Sequence, residues 1–128
     1  MITKRILVVD DEPSVTRNLN LNLESNGGYE VLGENRGANA LSAARSFRPD
    51  SVLLDVMMPE VDGGGVAARL RADPLFRDTP IIVLTAHGDE ESARRSFELG
   101  ATDFLAKPFN LDQLRVRLSA ILQKPIRP

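Results

Sequence analysis

The sequence contains no cysteine, and its only histidine is His87. The lack of cysteine excludes disulfide bonds, thiolate metal sites and cysteine nucleophiles. Zinc is also disfavoured, because protein zinc sites are built mainly from cysteine and histidine. A metal ion in this chain would therefore have to be bound by oxygen ligands.

Long hydrophobic runs and clusters of basic residues are also missing. The first apolar run covers residues 6–9, which is shorter than the ~7–15 residues of a signal-peptide core. No run approaches the ~20 residues needed to cross a bilayer. We therefore expect a cytoplasmic protein with no membrane partner. The 16 Lys and Arg residues are scattered and are outnumbered by 18 Asp and Glu, so direct nucleic-acid binding by this chain is not expected.

The length and composition predict a single folded domain. The chain has 128 residues, of which 42% are hydrophobic and 27% are charged, as is usual for a globular domain with one core. We expect residues 1–123 to form this domain. Residues 124–128 contain two prolines that would end the last helix, and they could begin a linker to a further domain.

Five segments predict β-strands. Residues 6–9, 51–54 and 81–84 are short, apolar and rich in β-branched side chains. Weaker candidates lie at residues 29–33 and 102–106. Continuous rather than alternating hydrophobicity is typical of strands that are covered on both faces of a parallel sheet.

The segments between the strands predict helices. Apolar residues recur at intervals of three and four in residues 40–47 and 111–122. The first helix is less regular, because Leu19, Leu21 and Leu23 alternate with asparagines, but Pro13 suits a first helical turn. The alternation of five strands with five helices predicts an α/β fold that is doubly wound around a parallel sheet.

Five residues carry helix-capping signals. Gly27 with Gly28, and Gly100, stand where left-handed residues close the first and fourth helices. Asp62 and Asn110 are predicted N-caps of the third and fifth helices. These signals give the boundaries of the predicted helices.

Chemically active side chains follow four of the five predicted strands. Asp10 and Asp11 follow the first strand, Asp55 the third, Thr85 ends the fourth, and Lys107 follows the fifth. In doubly wound sheets ligands bind at the carboxyl ends of the strands. Three carboxylates at this edge would repel one another unless a cation lay among them. Mg²⁺ suits such a site, because it uses one or two carboxylates together with water and phosphate oxygens, and Mn²⁺ is the alternative.

The same residues could support phosphoryl transfer. A carboxylate beside Mg²⁺, such as that of Asp55, can attack phosphorus and form an aspartyl phosphate. Phosphoryl transfer requires mainly positioning and the neutralisation of charge on the equatorial oxygens. The ammonium group of Lys107 and the hydroxyl group of Thr85 could supply this.

Four segments together resemble the receiver domain of two-component response regulators. They are ILVVDDEP, SVLLDVMMPEVDG, PIIVLTAHG and GATDFLAKPF, which begin at residues 6, 51, 80 and 100. The resemblance extends over about residues 4–122. It implies a flavodoxin-like receiver fold with the strand order 2-1-3-4-5.

The resemblance implies specific roles for the acidic residues. Asp55 matches the phosphoacceptor of the family. Asp11 matches a direct metal ligand, Asp10 acts largely through water, and the backbone carbonyl of Met57 completes the metal site. Asp55 also contributes to metal binding.

The resemblance also implies a conformational switch. Thr85 matches the switch hydroxyl and Phe104 the switch aromatic residue, although tyrosine is more common there. Lys107 matches the family's lysine, whose peptide bond to Pro108 is typically cis. Phosphorylation would change the face formed by the fourth helix, fifth strand and fifth helix.

The implied partners are a sensor histidine kinase or phosphotransfer protein as donor, and an unknown output partner or domain. A homodimer that depends on phosphorylation is a further possibility. On this interpretation the chain is a signalling switch that catalyses its own phosphorylation and dephosphorylation, and is not otherwise an enzyme.

Three other hypotheses on the function are possible. A degenerate receiver would only bind partner proteins. A phosphatase with an aspartyl-phosphate intermediate would need a second aspartate two residues after Asp55, where the chain has Met57. Residues 63–68 fit a dinucleotide-binding motif, G-x-G-x-x-A, but residues 56–62 separate it from the preceding strand.

Overall fold

The computed structural model describes residues 3–25, 27–55, 63–85 and 90–122. Its strands form one parallel sheet in the order β2-β1-β3-β4-β5. They are β1 (Lys4–Val9), β2 (Tyr29–Glu34), β3 (Ser51–Asp55), β4 (Ile81–Thr85) and β5 (Asp103–Ala106). The predicted fold class and strand order are confirmed.

The α-helices follow the strands as the sequence predicts. They are α1 (Pro13–Ser25), α2 (Ala40–Phe47), α3 (Gly63–Ala72), α4 (Glu90–Glu98) and α5 (Leu111–Leu122). Two short 3-10 helices, Gly37–Asn39 and Pro74–Phe76, were not predicted. None of the helices in the described part of the chain is long and apolar enough to span a membrane.

Two hydrophobic clusters lie on opposite faces of the sheet. Successive side chains of a strand point to opposite faces, so each continuous apolar run contributes to both clusters. On the face covered by α1 and α5, the strand residues Ile6, Val8, Leu53, Ile82, Leu84 and Leu105 pack against Leu19, Leu23, Leu114 and Leu118. On the face covered by α2 and α3, Leu7, Val9, Val52, Leu54, Ile81 and Val83 pack against Ala40, Ala44, Val66, Ala67 and Leu70.

The irregular pattern of α1 has a structural explanation. Leu19 and Leu23 are buried, whereas Leu21 is 63% exposed, so only two of the three leucines belong to the core. Asn20 donates a hydrogen bond from Nδ2 to the backbone carbonyl of Val31 (3.3 Å). Asn20 therefore interrupts the apolar pattern of α1 because its side chain binds β2, which lies at the edge of the sheet.

The capping predictions that fall on described residues are confirmed. Gly27, Gly28 and Gly100 have φ values of +75°, +88° and +105°, in the left-handed region that glycine tolerates. Asn110 and Gln113 bond reciprocally: Asn110 Oδ1 accepts from the Gln113 N–H (2.7 Å), and Gln113 Oε1 accepts from the Asn110 N–H (3.0 Å). This is a capping box that fixes the start of α5.

Arg71, near the end of α3, connects the helix to the loops that precede β4 and β5. Its guanidinium group donates to the carbonyl oxygens of Gly100 (2.9 Å), Phe76 (2.8 Å), Arg77 (3.1 Å) and Thr79 (2.6 Å), and to Thr102 Oγ1 (3.3 Å). The five-donor geometry of arginine allows one side chain to serve several acceptors. Arg71 therefore joins three segments at the amino ends of the strands.

We expect Arg71→Ala to lower the free energy of unfolding by about 2–3 kcal/mol, because several partly buried carbonyl groups would lose a charged donor. Urea denaturation measures this change. Arg69→Ala is the matched control: Arg69 is an exposed arginine of the same helix, so its loss should change stability by less than about 0.5 kcal/mol. Equal effects of the two substitutions would contradict the role given to Arg71.

Candidate metal and phosphoacceptor site

Three carboxylates meet at the carboxyl edge of the sheet. Asp10 follows β1 and Asp55 ends β3, and these strands are direct neighbours with Val9 paired to Leu54. Carboxylate oxygens of Asp10, Asp11 and Asp55 all lie within 4.8 Å of one another. Asp10 is 0% exposed and Asp55 is 4% exposed. The structure therefore brings together the three acids that the sequence analysis selected.

Lys107 supplies a positive charge to this cluster. Its Nζ atom lies 3.1 Å from Asp10 Oδ2 and 3.7 Å from Asp55 Oδ2. Burial acts to lower the pKa of Lys107, but the hydrogen bond to Asp10 and the charges of Asp10, Asp55 and Glu12 outweigh burial and raise the pKa above its ordinary value. The side chain is therefore a protonated donor at neutral pH.

The two adjacent acids differ in their environments. Asp10 Oδ2 accepts the hydrogen bond from Lys107, and Asp10 Oδ1 accepts from the backbone N–H of Glu12 (3.0 Å). Both carboxylate oxygens of Asp10 therefore accept hydrogen bonds from other groups of the chain. Asp11 is only partly buried, so its carboxylate is the more accessible of the pair.

The two candidate switch residues lie on neighbouring strands. Thr85 is 3% exposed, and its carbonyl accepts a hydrogen bond from the Lys107 N–H (2.7 Å). Phe104 is partly buried against the core beneath α2 and α3. Its ring lies edge-on to that of Phe97 in α4, with centroids 6.2 Å apart. The peptide bond between Lys107 and Pro108 is cis, as the resemblance implies.

Two of the sequence predictions concern residues outside the described part of the chain. They are the metal-ligating carbonyl of Met57 and the N-cap role of Asp62. The tail at residues 124–128 also lies outside the described residues. These remain predictions.

The donor atoms of the cluster suit a hard divalent cation. All of the candidate side-chain ligands among the described residues here are carboxylate oxygens, which Mg²⁺ and Mn²⁺ prefer. Three carboxylates beside one ammonium group leave an excess of negative charge, and a divalent cation would balance it. The residues present therefore fit Mg²⁺.

The sequence analysis missed Asn35, which directly follows β2. Asn35 Nδ2 donates to the backbone carbonyl of Asp10 (2.8 Å) and to Thr16 Oγ1 (3.1 Å). Its position was the available signal, because β2 neighbours β1 and both strands end at the edge that carries the acids.

The fold and the acidic cluster are those of a receiver domain. The family model described as the response regulator receiver domain matches residues 6–119, which is most of the chain. The chain therefore belongs to the response regulator receiver domain family, and the predicted resemblance is confirmed.

Particular relatives support this assignment. RpaA of Synechocystis sp., a DNA-binding dual master transcriptional regulator, is 37% identical over 123 residues, which cover 96% of this chain and 51% of RpaA. The chain spans about half the length of the curated relatives it matches. The solved structure of the chemotaxis response regulator CheY4 of Vibrio cholerae has a TM-score of 0.87 and 32% identity, and covers 94% of this chain and 99% of its own.

A further solved structure is relevant to the acidic cluster. The receiver domain of sensor histidine kinase PA1611 from Pseudomonas aeruginosa PAO1 has a magnesium ion coordinated in its active site cleft. Its TM-score is 0.86 with 31% identity, and the match covers 96% of this chain and all of that one. A receiver domain that is similar to this chain thus binds magnesium in its active site cleft.

We expect Asp55→Asn to raise the free energy of unfolding by about 1–2 kcal/mol when divalent cations are removed with EDTA, because it deletes one of three mutually repelling charges. Urea denaturation tests this. Asp50→Asn is the control, since Asp50 is an exposed residue that precedes the same strand. Its side chain accepts a hydrogen bond from the Arg5 N–H (2.7 Å), and the asparagine oxygen can accept the same bond, so stability should change little. A marked loss of stability in Asp55→Asn would contradict the repulsion described here.

Proposed function

We propose that this chain is a phosphorelay switch that accepts a phosphoryl group from a sensor histidine kinase or phosphotransfer protein onto Asp55, in a Mg²⁺-dependent reaction. The observation that carries the proposal is the placement of Asp55. Asp55 is buried, with 4% of the residue exposed; its carboxylate shares the cluster with Asp10 and Asp11 and lies 3.7 Å from Lys107 Nζ.

Phosphoryl transfer requires little of the protein beyond positioning of the reacting groups. An ionised oxygen of Asp55 attacks phosphorus, while the bond from phosphorus to the donor's imidazole nitrogen breaks and its electron pair returns to the imidazole. No general base is required, because the attacking carboxylate is already ionised. Mg²⁺, held by Asp10, Asp11 and Asp55, would supply neutralisation of the negative charge on the phosphoryl oxygens.

Lys107 and Thr85 would donate hydrogen bonds to the phosphoryl oxygens. The ammonium group of Lys107 already faces the two buried carboxylates. A phosphoryl oxygen on Asp55 would therefore come within hydrogen-bonding distance of Lys107 Nζ. The Thr85 hydroxyl would supply a neutral donor from the end of β4. The backbone hydrogen bond from the Lys107 N–H to the Thr85 carbonyl holds the ends of β4 and β5 side by side, so the two side chains start from the same edge of the sheet.

Phe104 would transmit the change to the surface. In this proposal Thr85 moves toward the phosphoryl group, and Phe104 turns into the space beside it, as a shift between two populations. Support comes from the contact between Phe104 and the half-exposed Phe97 of α4. The surface formed by α4, β5 and α5 would be the output face.

The proposed partners are inferred from the output face and from the length and description of the relatives. RpaA is about twice as long as the matched region and is named as DNA-binding. We infer that the output of this chain is either a further domain or a separate partner protein, and that phosphorylation favours a homodimer through the output face. The chain would act in the cytoplasm, with no catalysis beyond its own phosphorylation and dephosphorylation.

Two other functions are less well supported. A phosphatase would need an acid at position 57, where the sequence has methionine. A receiver that only binds partners would not need two buried acids held beside a lysine, an arrangement with a cost in charge repulsion.

Incubation with acetyl phosphate and Mg²⁺ tests the proposed acceptor. We expect intact-mass spectrometry to show the addition of one phosphoryl group that hydroxylamine removes. Asp55→Asn should accept none, and EDTA should suppress the reaction of the wild type.

Asp50→Asn is the matched control for this experiment, since it makes the same chemical change at the other end of β3. It should be phosphorylated like the wild type. Phosphorylation of Asp55→Asn at the wild-type rate would overturn the assignment.

A second experiment tests Lys107. We expect Lys107→Ala to retain Mg²⁺ binding, because the three carboxylates remain, but to switch poorly, because the phosphoryl group loses its charged donor. The readout is the change in backbone amide NMR signals of residues 103–106 after phosphorylation. A wild-type change in the phosphorylated variant would count against this role.

A further inference from the structure

Asn35 has a specific contact with the segment that carries two of the three acids. It follows β2, and the Asp10 N–H donates to the carbonyl of Glu34 (3.1 Å), so the ends of β1 and β2 are locked side by side. The side-chain amide of Asn35 then donates to the carbonyl of Asp10 at 2.8 Å. This carbonyl belongs to the peptide that leads into Asp11.

The same amide also contacts the start of α1. Asn35 Nδ2 donates to Thr16 Oγ1 at 3.1 Å, and Thr16 Oγ1 donates to the carbonyl of Pro13 at 3.1 Å. The two hydrogens of one amide nitrogen therefore hold both ends of the loop between β1 and α1. Both acceptors require an N–H donor, which fixes the orientation of the amide.

Thr16 is itself tightly held. It is 6% exposed, and a Cβ atom at Gly33 would lie 2.8 Å from Thr16 Cβ. The absence of a side chain at Gly33 thus allows α1 to approach β2 closely enough for Thr16 to reach Asn35. Thr16 is therefore closely packed between α1 and β2.

We propose that Asn35 is a positioning residue for divalent-cation binding, which acts by fixing the loop from Asp10 to Pro13 so that the carboxylates of Asp10 and Asp11 face Asp55. This inference rests on the proposed function, in which these carboxylates bind Mg²⁺. Asparagine suits the position because it donates two hydrogen bonds without adding a fourth negative charge beside the acids.

The experiment compares Mg²⁺ affinities by isothermal titration calorimetry and phosphorylation rates with acetyl phosphate at increasing Mg²⁺. We expect Asn35→Ala to bind Mg²⁺ about tenfold more weakly, the lower end of the effect of removing groups that orient metal ligands. The Mg²⁺ concentration for half-maximal phosphorylation should rise by the same factor. The rate at saturating Mg²⁺ should stay within about twofold, because Asn35 does not contact the reacting carboxylate.

Asn20→Ala is the matched control. It also removes an asparagine amide that binds the β2 region, through Val31, but it lies away from the acids. Its Mg²⁺ affinity should equal that of the wild type. If Asn35→Ala does not fold, Asn35→Ser, whose hydroxyl can donate only one hydrogen bond, is judged by the same criteria.

Wild-type Mg²⁺ affinity in a folded Asn35 variant, or an equal loss in Asn20→Ala, would overturn the inference. A failure of the proposed function would look different, because the wild type would then bind no Mg²⁺ or Asp55→Asn would bind it unchanged. The two failures are thereby distinguishable.

Discussion

The mutual repulsion of three carboxylates at one edge of the sheet is the constraint on which the rest of the structure depends. The pairing of β1 with β3 forces Asp10 and Asp55 together, and almost no solvent reaches either of them. Lys107 offsets part of the repulsion from the end of β5. Such repulsion would cost stability in the metal-free chain, and the proposed function, in which the same carboxylates bind a cation and a phosphoryl group, would explain why it is kept.

Hydrogen bonds between α1, β2 and the loop after β1 also help to position the acids. The seam between α1 and β2 contains polar side chains that bind backbone groups: Asn20 and Glu24 bind the carbonyl and N–H of Val31, and Asn35 binds the carbonyl of Asp10. The bonds of Asn20 and Glu24 hold β2 against α1, whereas the bond of Asn35 fixes the loop that carries Asp11. The fold thus positions the site through neutral and peripheral groups as well as through charged ones.

The sequence was sufficient for features that depend on local pattern. The apolar runs predicted all five strands, and positive φ at Gly27 and Gly100 follows from the position of glycine after a helix. The acidic cluster was predicted because parallel strands end at one edge. Asn35 and Arg71 were not, because the bond from Asn35 to Asp10 and the bond from Arg71 to Gly100 join residues that are 25 and 29 positions apart in the chain.

The central claim, that Asp10, Asp11 and Asp55 form one divalent-cation site, is tested most directly with Mn²⁺, which takes the same oxygen ligands as Mg²⁺ and broadens nearby NMR signals. Substoichiometric Mn²⁺ added to isotope-labelled protein should first broaden the amide signals of residues 10–12 and 54–55, and excess Mg²⁺ should restore them. Broadening that begins elsewhere, for example around the acids at positions 73 and 78, would contradict the account.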